Sequence, residues 1–236
     1  MLRKIAAAAG AVTAVIGMAV NAAAQETVES SMHIWQGYKD SAAYTFVMDT
    51  YTETASIAKT EQDGSVTVVS GTYAVDTDGN LTVTDMDGAQ QTWNAVQESL
   101  CRNTVTVPGE DTEIILAKGD PVIARYINRY AWYVGLSEEG DAYTFGISLD
   151  CTKLIFGFYT SEDDTLYETE FSLDITQSGD GVLSGTASDE DGRTCSFSYE
   201  MIEENPLHAQ ISMNGESCSV SAVESRIFGD YTGQES

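Results

Sequence analysis

Two histidines, four cysteines and a large excess of carboxylates are the side chains with chemistry to offer in this 236-residue chain. Nucleophilic catalysis of the Ser or Cys type needs a base beside the nucleophile, normally His. His33 and His208 are the two candidates, and no nucleophile motif surrounds either. Both read as surface or strand-end residues. Met32-His33 joins a thioether to an imidazole, donors that suit copper, but Met48, Met86, Met201 and Met213 are scattered. Glycoside hydrolysis uses two carboxylates flanking the bond. With 37 Asp and Glu, such pairs arise by chance and mark no site.

The loops Asp76-Thr77-Asp78-Gly79-Asn80, Glu162-Asp163-Asp164 and Asp189-Glu190-Asp191-Gly192 raise weak surface Ca2+ binding as a minor reading. An EF-hand loop puts Gly sixth and Glu twelfth; Gly79 stands fourth, which suits a hairpin. No cofactor is otherwise expected. The cations Lys118, Arg125 and Arg129, with Arg102 nearby, read as an anion site helped by Tyr126 and Tyr130, or as pins holding this segment to an acidic body. The second reading is preferred, because isolated basic residues in an acidic protein find local partners easily. Trp35, Trp93 and Trp132 belong mainly to cores. A subset, with Tyr126, Arg125 and Arg129, forms the candidate ligand or partner site.

Four cysteines in an exported chain imply two disulfides, and four allow three connectivities. Cys195 and Cys218 each begin a Cys-Ser-apolar-Ser run, on strands expected to pair. That favours Cys195–Cys218 and leaves Cys101–Cys151, each bridge contributing about 2–4 kcal/mol. No CxxC spacing supports a metal instead.

Export itself is read from the start of the chain. Met1-Leu2-Arg3-Lys4 is basic, Ile5 to Val20 is apolar, and Ala22-Ala23-Ala24 offers a small-residue cleavage site. This is the pattern of a secretory signal peptide over 1–24, too short and too cleavable for a membrane anchor. Its removal takes two of the 11 basic residues and no acid, so the net charge moves from −26 to −28. Such acidity excludes nucleic acid as a partner, since phosphates would be repelled. No second long apolar run follows, so no membrane span remains. The expected product is soluble, periplasmic or secreted.

The elements that must position these residues are strands. Tyr143, Phe145, Ile147, Leu149 and Cys151 alternate with small or polar residues, and a period of two puts them on one face. Phe171-Leu173-Ile175, Cys195-Phe197-Tyr199-Met201 and Leu81-Val83 repeat the pattern at alternate positions. Asp63-Gly64, Asp78-Gly79, Asp87-Gly88, Asp191-Gly192 and Asn214-Gly215 separate the runs and permit the positive φ of tight hairpins. The chain therefore reads as all-β, an antiparallel meander.

An internal repeat runs through it. Trp35 and Gly37 match Trp132 and Gly135; Ala43-Tyr44-Thr45-Phe46 matches Ala142-Tyr143-Thr144-Phe145; Asp78-Gly79 and Asp87-Gly88 match Asp180-Gly181 and Asp191-Gly192. The offsets rise steadily through 97, 99, 102 and 104, which favours duplication of one unit. Between the copies, Asp120-Pro121 resembles a helix start, and a short helix at 121–130 is expected, with a strand as the alternative. The division is then a β unit at 25–100, a connecting segment at 101–130 and a second β unit at 131–236. One closed barrel built from both halves is the alternative.

Ser70-Gly71-Thr72-Tyr73 and the stretch from Asp78 to Gly88, with Leu81-Thr82-Val83-Thr84 between two turns, resemble small bacterial lipocalin-like envelope domains. The pattern is similar to the N-terminal barrel of a copper-resistance, envelope-stress lipoprotein. The resemblance covers about 20 residues and implies a lipocalin-like barrel or sandwich fold. That family's anchoring Cys and CxxC motif are missing here, so its copper role is not implied. The expectation is a non-enzymatic binding module for a small amphipathic ligand or an envelope partner, with a pocket lined by Trp and Tyr. Capture of a cationic protein or peptide comes second, and a carboxylate-dependent hydrolase third.

Overall fold

The computed structural model describes residues 31–162 and 165–228. The signal-peptide reading over 1–24 and the Asp163-Asp164 step lie outside them. Sixteen strands in this range form two closed barrels of eight, antiparallel throughout. The first contains β1 (Met32–Lys39), β2 (Ala42–Asp49), β3 (Thr54–Thr60), β4 (Val66–Val75), β5 (Leu81–Thr84), β6 (Gln90–Gln97), β7 (Arg102–Thr106) and β8 (Glu113–Gly119). Helix α1 (Val122–Tyr126) leads to the second: β9 (Tyr130–Leu136), β10 (Ala142–Ser148), β11 (Lys153–Tyr159), β12 (Leu166–Gly179), β13 (Val182–Ser188), β14 (Thr194–Met201), β15 (His208–Met213) and β16 (Glu216–Ala222). Closure comes from β1 pairing with β8 and β9 with β16.

The all-β meander and the two related units are as the sequence implies; one barrel shared by both halves is not what forms. The connecting segment needs correction. Residues 102–119 supply β7 and β8, without which the first barrel would have an open edge, so the link shrinks to α1 and its flanks. The helix covers five residues rather than ten. Tyr130, Trp132 and Val134 alternate in β9 and draw the chain back into a sheet, where Trp132 and Val134 are buried.

The repeat extends to single hydrogen bonds. In the β5–β6 turn, Asp85 Oδ1 accepts the amides of Asp87 and Ala89, and Gly88 takes φ +81°. In the β13–β14 turn, Asp189 Oδ1 accepts those of Asp191 and Arg193, and Gly192 takes φ +75°. Both turns use Gly because the left-handed region strains a side chain with a Cβ. One matched pair was out of step. Trp35 faces the interior of the first barrel, whereas Trp132 faces outward into the contact between barrels. A slip of one residue reverses the face, so the inward partner of Trp35 is Tyr133.

Four apolar clusters result, three of them large and one small, around Cys101, Ala142 and Tyr159. Trp35, Tyr44, Phe46, Ile57, Val83 and Trp93 are among the residues filling the first barrel. Phe145, Leu154, Phe156, Phe171, Phe197 and Ile211 help fill the second. The third cluster lies between barrels, where Ile34 and Val47 meet Ile123 and Ile127, and these meet Trp132, Ile155 and Phe228. Strands facing both a barrel interior and this seam are apolar on both sides, as in Leu154-Ile155-Phe156-Gly157-Phe158-Tyr159.

The expected disulfides are not present; none of the four cysteines is joined to another. Cys195 lies on β14 and Cys218 on β16, with β15 between them, so the strands assumed to pair are not neighbours. Cys101 and Cys151 lie toward opposite ends of β11. Cys101 donates to the carbonyl of Thr160, just beyond one end, and Cys151 precedes the other. Nine residues of extended chain span roughly 30 Å, far beyond disulfide reach. Burial pushes the Cys218 thiol up to about 12, which makes it an inert core residue.

Candidate functional site

The aromatic residues expected to line a pocket are packing residues. Trp35, Trp93 and Trp132 are 8%, 5% and 3% exposed. Trp93 meets Phe46 edge-on at 5.1 Å inside the first barrel. Trp132 donates its indole N–H to the carbonyl of Tyr126 at 3.4 Å. Trp35 and Trp93 belong to the apolar cluster inside the first barrel, and Trp132 to the cluster between the barrels.

The basic residues also separate. Arg102 pairs with Glu98 at 2.7 Å, and the Lys118 ammonium sits 4.4 Å from the centre of the Tyr159 ring. Arg125 and Arg129 are exposed rather than converging on a pocket. Arg125 lies near Asp120 and Glu168, and its charge acts on both. Lys118 on β8 and Arg125 on α1 thus both lie against residues of the second barrel.

Those two residues flank a quasi-symmetric seam that sequence reasoning did not find. After the first barrel's last strand, the amide of Asp120 donates to Thr144 Oγ1 on β10 of the second barrel at 3.0 Å. After the second barrel's last strand, the amide of Glu224 donates to Thr45 Oγ1 on β2 of the first at 2.9 Å. Thr45 and Thr144 are separated by the same spacing as Ala43 and Ala142. Each acid then caps the helical turn that follows it: Asp120 Oδ1 accepts the amide of Val122 at 2.8 Å, and Glu224 Oε1 that of Arg226 at 2.9 Å. Each barrel therefore docks its C-terminal extension on its partner.

The remaining oxygens differ. Glu224 Oε2 accepts from Thr60 Oγ1 and Arg226 Nη2, both at 2.9 Å. Despite partial desolvation, hydrogen bonds from Arg226 and Thr60 hold its carboxyl below the usual range. Asp120 Oδ2 has no partner, although the residue is only 1% exposed. Burial, reinforced by Glu168, pushes its carboxyl up to about 7.

His208 Nε2 lies 2.8 Å from Ser219 Oγ, the distance of a nucleophile–base pair. Its ring, however, is stacked on Tyr38 at 4.1 Å, and Tyr38 OH accepts from Asn205 Nδ2 at 2.8 Å. Burial lowers the imidazole pKa. This group ties β15 to β1 across the seam and has the form of a contact. Among the described residues no three His, Cys, Asp or Glu gather as metal ligands. The carboxylates of Asp76, Asp85 and Asp189 instead serve the backbone amides of their own turns.

The outer faces are unlike the rest of this acidic molecule. Strands β4, β5, β6 and β13 contain no charged residue. Thr54, Thr72, Thr84 and Gln90 lie in register across β3 to β6. Ser184, Ser198, Ser212 and Ser217 do the same across β13 to β16. A shallow depression of ≈ 450 Å³ on the second barrel is lined by Thr176, Ser184, Thr186, Ser196, Ser198 and Ser212, among others. The signal was present in sequence as Ser and Thr at alternate positions, but their register across strands becomes visible only in the fold.

No family model matches the sequence, and no curated protein matches it. Among solved structures, the chain is similar to DNA polymerase III subunit beta from Pseudomonas aeruginosa at 9% identity, covering 94% of this chain and 65% of that one, with a TM-score of 0.14. A DNA polymerase sliding clamp from the same organism gives 10% identity, 94% and 64% coverage, and a TM-score of 0.14. The chain spans less than two thirds of these neighbours. Scores this low carry no argument about fold or function.

Proposed function

We propose that the protein is an exported, non-enzymatic binding module that meets an envelope partner on the outer faces of its barrels. The observation that carries this reading is the contrast between apolar clusters inside both barrels and outward rows of uncharged hydroxyl and amide side chains. Packed barrels weigh against a small amphipathic ligand held inside. Rows of hydroxyl and amide groups, lacking the charge that dominates the chain, offer hydrogen bonds to a neutral polar surface. The basic start and small-residue site of residues 1–24 support delivery to that compartment.

Co-sedimentation of the mature chain with the isolated envelope fraction of its own host tests this. Binding is expected to persist as salt is raised and to weaken at least about tenfold, roughly 1.4 kcal/mol, in the double variant Ser198→Lys, Ser212→Lys. Binding that collapses with salt would support capture of a cationic partner by the carboxylates instead. Binding indifferent to both changes would sink the outer-face reading.

A further inference from the structure

The two acids of the seam occupy equivalent places, and only one has its second oxygen satisfied. Asp120 Oδ2 lies directly over Gly157 of β11. A Cβ placed on that glycine would stand 2.4 Å from the oxygen, so the carboxyl occupies the space a side chain would need. The equivalent position in the first barrel is Ala58, beneath the other dock. An unpaired buried carboxylate costs several kcal/mol; a proton removes most of that cost without disturbing the cap on Val122.

We infer that a proton on the free oxygen of Asp120 closes this end of the seam, and that its departure loosens α1 from β11 and β12. The surrounding groups favour the neutral form. Glu168 on β12, opposite Gly157 in register, adds negative charge. Its own carboxyl is raised chiefly by burial, with Glu170 contributing. Glu170 is itself paired with Lys153. The facing cations are Arg125 on α1, exposed and screened by water, and Lys118 on β8, engaged with the Tyr159 ring. From β10 the facing group is the neutral Thr144 hydroxyl.

The sign follows from linkage. A carboxyl raised in the folded state contributes most below its unfolded pKa of 3.8, and that contribution is lost as pH rises through about 7. A divalent cation fits less well, because Asp120 Oδ1 is already committed to Val122 and hard cations need six or more oxygens.

The test uses the mature chain, Asp120→Asn, which keeps the acceptor for Val122, and Glu113→Gln, which removes one exposed charge elsewhere. Hydrogen exchange, corrected for intrinsic rates, is followed at the amides of Asp120 and Val122 between about pH 5 and about pH 8. Protection in the wild type and in Glu113→Gln is expected to fall at least about tenfold on raising the pH, while Asp120→Asn stays level. Equal pH dependence in all three proteins would overturn the inference. Should Asp120→Asn not fold, Glu168→Gln provides the second route. Removing that negative charge lowers the proton affinity of Asp120, so the pH at which protection is lost should fall by a measurable fraction of a unit; an unmoved midpoint would count against the inference.

Discussion

Glu224 and Asp120 do the same job from opposite ends of the molecule. Each follows the last strand of a barrel, donates its amide to a threonine on the other barrel and caps a helical turn. The Glu224 dock adds Thr60 and Arg226 and sits over Ala58; the Asp120 dock has no third partner and sits over Gly157. A contact in which each unit offers the same patch to the other is isologous, the pattern of a two-fold dimer. Joining two copies in one chain lets the two docks diverge. One became a satisfied ion pair, and the other kept a buried oxygen in need of a proton.

Glu224→Ala should break the stronger dock. Thr60 is buried and would lose its acceptor while Arg226 loses its partner, so about 2–3 kcal/mol of stability should disappear near neutral pH, measured by urea unfolding. The pH dependence of this dock opposes that of Asp120. A carboxyl held low contributes above its unfolded pKa of 4.5, and the contribution is lost as pH falls through the lower folded value.

Gly157→Ala sharpens the comparison by giving the second barrel the residue of the first. The new Cβ would meet Asp120 Oδ2 at 2.4 Å and displace it, for a loss of about 1–2 kcal/mol in the same assay. A gain would show that the Asp120 side tolerates the alanine as the Glu224 side does. Smaller still is the contrast between equivalent turns. Asp189 also binds Arg193 Nε at 2.7 Å, whereas Ala89 stands in the corresponding place after Asp85. Asp189→Asn should cost about 1 kcal/mol and Asp85→Asn under about 0.5 kcal/mol, read as a difference in unfolding midpoint.

The barrels were legible in the sequence because alternation and Asp-Gly turns are local signals. Where the alternation was followed too far, the fold departs from it. β10 ends at Ser148, Leu149 is 72% exposed in the turn, and Cys151 takes φ +55°. The seam was hidden because it is built from residues on outward faces, which a period of two assigns to water. Its trace was the absence of polar alternation in Ala42-Ala43-Tyr44-Thr45-Phe46-Val47, where every residue is buried. Asp120-Pro121 marks a helix start in the sequence, but nothing local marks Asp120 as a buried acid. Its distinction comes from Gly157 and Glu168, brought beside it by a different part of the chain.

The two docks can be read in one sample by carbon-13 titration of the side-chain carboxyls of Asp120 and Glu224 in the full chain. The account predicts that Asp120 titrates near 7 while Glu224 titrates below its usual range. Two ordinary carboxylate midpoints would contradict it.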